Sequence, residues 1–216
     1  MKWMVLPVMH DVKTGPMTDR EKMLSGNMYN PTDGELEEIR LNVHSQLNRY
    51  NLTRDDEQKL RREILESITG YFGEHVIIQP PVYFDYGNLF IGDGSFINFR
   101  FTAIDCAKIE IGENVLIGPG VTLATAMHPM LAEERKTKRH PDGKVYGMEY
   151  ALPVRIGNHV WIGSSAVILP GVSIGEGTVI GAGSVVTRDI PEGVLAVGNP
   201  CRVVRKLTKE DAVRIK

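Results

Sequence analysis

The sequence predicts a mainly β protein: a parallel β-helix with an N-terminal α-helical cap and one long inserted loop. Three observations predict it. Across residues 156–186, Ile156, Ile162, Ile168, Ile174 and Ile180 recur every six residues, and four of the five are followed by glycine. A helix places apolar residues three and four apart and a pleated strand two apart, so period six belongs to neither. It suits a three-sided coil in which each short strand turns one aliphatic residue inward and a following glycine eases the corner. Upstream, Ile91, Ile97, Ala103 and Ile109 keep the same step, as do Ile111, Ile117 and Leu123 after a two-residue insertion. Ahead of the coil lie two amphipathic helical stripes, each wide enough to pack on only one surface.

Residues 1–16 carry no clear pattern and are read as an N-terminal extension. Thr18 and Glu21 have the spacing of a capping box. Asp33 can cap a helix bearing Leu36, Ile39, Val43, Leu47 and Tyr50. Thr53 and Asp56 open a second helix, with Leu60, Ile64, Leu65, Ile68 and Phe72, ending at Gly73. Residues 17–75 thus read as a helical cap, which a solenoid needs because its open end exposes unpaired strand edges. The coil occupies 76–206, starting near Val76. Three six-residue steps make a turn, so Ile156 should lie beneath Ile174 and Ile162 beneath Ile180, about 4.8 Å apart. The pattern stops over 124–152, a polar stretch far longer than most connections, and such loops are commonly functional. Residues 207–216 form a tail.

A net charge of −2 and a pI near 6.3 give no reason to expect nucleic acid or an anionic membrane as partner. No stretch approaches a membrane span, the opening MKWMVLPVMH is a poor signal peptide, and Cys106 and Cys201 show no metal or redox spacing. The cytoplasm is the expected location.

Polar residues that interrupt the coil are the candidates for chemistry. His128 stands where the coil breaks into the loop. An imidazole there can take a proton from a hydroxyl near neutral pH, and a plain surface histidine is the other reading. His10, His44, His75, His140 and His159 read as solvent-facing or packing residues. Zinc-holding coils such as the γ-type carbonic anhydrases carry a closely spaced histidine pair that is missing here, so no metal is expected. Arg188, Arg202, Arg205 and Lys206 form either a solvated face or a grip for phosphates. Asp85, Asn98 and Asp105 suit the hydroxyls of a sugar, or serve as an asparagine ladder and a turn cap.

Over residues 17–206 the chain resembles the maltose and galactoside O-acetyltransferases, with nodulation acetyltransferases as near relatives. The resemblance is carried in order by EKMLSGNMYNPTDGEL, PPVYFDYG, INFRFTAID, IGENVLIGPGVTLATAMHP, IGNHVWIGSSAVILPGVSIG, IGAGSVVTRDIP and GNPCRVVRKL. It implies a left-handed β-helix assembled as a homotrimer, with acetyl-CoA bound between subunits and no metal. It implies His128 as the general base that deprotonates an acceptor hydroxyl attacking the thioester, without an acetyl-enzyme. It assigns the Ser164 backbone N–H to the oxyanion, and Ala182, Thr187, Arg188, Arg202 and Arg205 to CoA. Trp161 would line that groove or pack the trimer. On the acceptor side it points to Asp33, Asp85, Asn98 and Asp105, with Glu149 orienting the base or holding the acceptor. The galactoside branch has an acidic pair where this chain has Asp105-Cys106, so only Asp105 can carry a carboxylate. The expected activity is acetyl transfer to a sugar hydroxyl; the alternative is a non-sugar acceptor such as an antibiotic or amino sugar, and the competing class is a non-catalytic scaffold coil.

Overall fold

A computed structural model describes residues 16–213. Three short helices precede a parallel β-solenoid. The first, α1 (Asp19–Leu24), opens with the expected capping box: Thr18 Oγ1 accepts from the Glu21 N–H at 3.1 Å, and the Glu21 carboxylate accepts from the Thr18 N–H at 3.1 Å. Asp33 caps α2 (Gly34–Asn51) by accepting the Glu35 N–H at 3.1 Å. The third helix, α3 (Gln58–Ile68), starts later than expected and has no side-chain cap. Thr53 is committed elsewhere: its hydroxyl donates to the Tyr50 carbonyl and accepts from Arg61 Nε, which finishes α2, while Asp56 pairs with Arg54.

The solenoid has three flat faces. The first stacks Tyr71–Phe72, Leu89–Ile91, Ile109–Ile111, Val154–Ile156 and Ser173–Ile174. The second stacks Ile77–Ile78, Phe96–Ile97, Leu116–Ile117, Trp161–Ile162, Val179–Ile180 and Val194–Val197, closed by the antiparallel strand Arg202–Lys206. The third stacks Val82–Phe84, Phe101–Ile104, Thr122–Ala124, Val167–Ile168 and Val185–Val186. Ile156 pairs with Ile174 and Ile162 with Ile180, the register that the six-residue period predicts. The inward aliphatic residues stack into one continuous core that Val43, Leu47, Tyr50, Ile64, Leu65 and Ile68 of the helices extend.

The coil begins before Val76. Tyr71–Phe72 is already a strand paired with Phe90–Ile91, so Phe72 belongs to the solenoid and not to the helix. Gly70 makes the passage possible, because a Cβ there would stand 2.4 Å from the Phe90 ring. At the open edge of the third face, Asn51 takes the place of a missing rung. Its carboxamide accepts the Val82 N–H and donates to the Val82 carbonyl, both at 2.9 Å, which blunts an exposed strand edge. The long loop carries two antiparallel ribbons, Ala126–Met127 with Tyr150–Ala151 and Lys138–Arg139 with Val145–Tyr146.

Candidate active site

Most of the expected site residues fall on two corners of the coil. Between the second and third faces the register stacks Phe99, Pro119, Ser164 and Ala182 in one column. The Phe99 N–H is taken by its neighbour Asn98, whose Oδ1 accepts it at 2.8 Å. Proline at 119 has no N–H. The N–H groups of Ser164 and Ala182 have no acceptor among the described residues, so the upper rungs of this corner present donors outward. Gly118 brings the corner close beneath Ser164: a Cβ there would lie 2.7 Å from the Ser164 nitrogen.

The other corner follows the third face. Asp85, Ile104 and Ala124 stack there, the loop carrying His128 leaves from it, and Thr187 and Arg188 lie above. From Ser164 to Leu169 one face separates the corners, roughly 16 Å of extended chain. His128 and Ser164 therefore belong to opposite edges of the same face of one chain.

His128 is well exposed, at 61% of its side chain, and its Nε2 lies 3.9 Å from Glu149 Oε1. That is an ion-pair separation and too long for a hydrogen bond. Glu149 is itself fixed. Its backbone exchanges two hydrogen bonds with Tyr29, and its Oε2 accepts the Tyr29 hydroxyl at 2.8 Å. Burial, reinforced by Cys106 and Glu149, pushes the Tyr29 phenol far above its ordinary range, so it remains a donor. The result is a carboxylate held facing the imidazole. Beyond His128, Arg135 donates to the carbonyls of Pro129 and Met130 and steadies the turn.

Two of the expected acceptor residues have structural duties. Asp105 is fully buried, and its carboxylate accepts N–H bonds from Asp85, Tyr86 and Asn88 at 2.8–2.9 Å. A direct sugar contact through Asp105 is thereby corrected: no oxygen reaches solvent, and the group instead shapes the turn that presents Asp85. Burial pushes its carboxyl up to about 6 against the pull of those donors. Asp105→Asn would set an amide donor against a backbone donor, at a cost of about 1–3 kcal/mol for the unsatisfied buried group; a lowered urea midpoint at unchanged slope is the expected result. Asp33 caps α2 as described. Asp85 accepts from or pairs with His44, Oδ1 to Nε2, at 2.9 Å.

The cations do not form one cluster. Arg188 sits exposed at the upper corner, whereas Arg202 and Arg205 lie on the closing strand of the second face. Arg202 donates to the Cys201 carbonyl at 2.7 Å. Both terminal nitrogens of Arg205 are engaged by Asp211, at 2.8 and 2.6 Å. Tyr29 and His44 carry no local sequence signal of these roles, since their partners lie 120 and 41 residues away.

Residues 153–188 match the model of the bacterial transferase hexapeptide (six repeats), and residues 22–73 match the maltose acetyltransferase hexapeptide capping motif. The chain is 41% identical over 197 residues to the galactoside O-acetyltransferase of Escherichia coli K12, covering 91% of this chain and 92% of that protein. Among solved structures it is similar to a maltose O-acetyltransferase from Clostridium difficile 630, with a TM-score of 0.83, 42% identity, and coverage of 89% and 99% of the two chains. It is equally similar to a galactoside acetyltransferase in complex with coenzyme A, with a TM-score of 0.83, 40% identity, and coverage of 91% and 94%.

Proposed function

Because the chain belongs to the maltose and galactoside O-acetyltransferase family, we propose that it transfers the acetyl group of acetyl-CoA to a hydroxyl of a sugar, with His128 as general base. The observation that carries the proposal is an exposed imidazole at the mouth of the loop, backed by a carboxylate that Tyr29 holds in place. His128 takes the hydroxyl proton as the acceptor oxygen bonds to the thioester carbonyl carbon. The C–S bond then breaks, and the imidazolium returns the proton to the departing sulfur. Glu149 faces the ring that takes up the proton, 3.9 Å from its Nε2. The outward N–H of Ser164 meets the oxyanion of the tetrahedral state, where a pre-aimed amide acts without reorganisation.

The residues present fit the donor. Ala182 leaves backbone exposed at the corner, Thr187 supplies a hydroxyl, Arg188 and Arg202 can fork phosphate oxygens, and Arg205 can do so once released from Asp211. Asp85 and Asn98 serve the acceptor. Asp33 and Asp105 act through the helix and turn that they hold. No metal is required in this scheme.

With His128 and Ser164 on opposite edges of one face, a complete site needs a second copy, and we place it between subunits of a homotrimer. An apolar column supports that arrangement. Ile77, Phe96, Leu116, Trp161, Val179 and Leu195 stack outward in register on the second face, and Ile77, Leu116 and Trp161 are about half exposed. A stripe roughly 24 Å long would otherwise stand in water. Among the described residues no helix is long and apolar enough to cross a membrane. Both cysteines are unpaired and buried, which suits the cytoplasm.

Release of CoA thiol from acetyl-CoA, with and without a panel of sugars, tests the reading. Sugar-dependent release supports it; release driven only by amines or antibiotics would move the acceptor outside sugars. One further consequence concerns Arg205. Asp211 occupies the fork that a phosphate would need, so Asp211→Asn should lower the KM for acetyl-CoA by roughly threefold to tenfold while leaving kcat near its starting value. A raised KM would instead make Asp211 the group that orients Arg205.

A further inference from the structure

A groove runs between α2 and the third face, directly below the corner from which the catalytic loop departs. It encloses about 410 Å³ and is lined by His44, Asn48, Tyr83, Asp85 and Thr102, floored by Phe84 and Ala103. That volume lies in the range of small-molecule sites, roughly 300–1,000 Å³. The geometry points to this groove as a subsite for a second sugar ring, so that the acceptor would be an oligosaccharide acetylated on one unit and held by the next. The inference rests on the acetyl-transfer reading above.

The lining decides the ligand class. Neither lysine nor arginine lines the groove, which disfavours a phosphate or carboxylate ligand. A lipid chain would bury the second Asp85 oxygen and the Asn48 carboxamide without partners, which disfavours it. Tyr83 is 54% exposed and offers a flat apolar face, as the C–H side of a pyranose requires. Around it stand groups suited to hydroxyls, which both donate and accept. The hydroxyls of Tyr83 and Thr102 and the Asn48 carboxamide make no side-chain hydrogen bond among the described residues. Asp85 turns one oxygen to His44, which fixes the carboxylate and leaves its other oxygen as an acceptor. Asn51 is already spent on Val82.

Position supplies the second part of the argument. Asp85 lies two rungs beneath Ala124, about 10 Å down the same corner, and Ala124 is four residues before His128. A glycosidic chain entering at His128 would reach the groove along that corner.

The test compares kcat/KM for a monosaccharide, its disaccharide and its trisaccharide in the natural protein, His44→Ala, Tyr83→Ala and Tyr83→Phe. The disaccharide should exceed the monosaccharide by about tenfold, through KM. That ratio should fall towards one in His44→Ala and Tyr83→Ala, and Tyr83→Phe, which keeps the ring, should retain most of it. A ratio near one in the natural protein, or one unchanged by both alanine variants, would overturn the groove. Calorimetric titration with the unacetylated disaccharide separates the two readings. Binding that depends on Tyr83 without any transfer would sink the acetyl-transfer reading and keep the groove; transfer without Tyr83-dependent binding would do the reverse.

Discussion

His128→Ala should lower kcat by about 10²–10⁴-fold, the range for removing a positioned general base, with the KM for acetyl-CoA nearly unmoved. The imidazole is on the surface of the loop, so the substitution opens no cavity in the core, and sedimentation and circular dichroism should match the natural protein. A loss confined to kcat would tie the effect to the chemical step. Glu149→Gln should have the same sign and a smaller size, about tenfold, or roughly 1.4 kcal/mol on the barrier. Its oxygen acts on His128 across 3.9 Å through charge alone, and His128 is wet enough for water to screen much of that field. Should His128→Ala retain near-normal turnover with any sugar, the base lies elsewhere and the mechanism proposed here fails.

Much of the architecture could be read from residue spacing, because each rung repeats the same packing demand. An aliphatic residue every sixth position leaves only one register that keeps it inside, and the pairs Ile156–Ile174 and Ile162–Ile180 obey it. The start of the coil was harder. Phe72 stands four residues beyond Ile68, a spacing that continues the apolar stripe of α3, and the sign that the helix had ended was Gly70 against Phe90. The roles of polar groups were less legible still. Nothing in the local sequence distinguishes a carboxylate that will meet a ligand from Asp105, whose partners are backbone N–H groups 17–20 residues away. Asp33 and Glu149 illustrate the two outcomes. The first is explained by its own helix, as short-range capping chemistry allows; the second acquires meaning only through Tyr29 and His128, which the fold brings to it. Spacing specifies what repeats, whereas a site is built from what does not.

Mixing two inactive variants should restore about a quarter of the natural activity. His128→Ala removes the base from one corner. Ala182→Glu places a carboxylate on the exposed opposite corner, where it would obstruct CoA and repel its phosphates, and position 182 faces solvent so the coil need not adjust. If each site combines the loop corner of one copy with the Ser164–Ala182 corner of the next, random co-assembly gives a site an intact base with probability one half and an intact donor corner with probability one half, hence about one quarter of sites complete. Co-expression, or refolding of the mixed variants from urea, supplies the exchange, and each variant refolded alone sets the baseline. Activity no greater than that baseline, with mixed trimers present by sedimentation, would place both corners of a working site in the same chain. The test is independent of which sugar is the true acceptor, since any acceptor that the natural protein uses will report it. It also separates assembly from catalysis: a charge set into the apolar column, such as Leu116→Arg, should abolish turnover by dissolving the trimer, and no mixing with His128→Ala should rescue a copy that cannot dock.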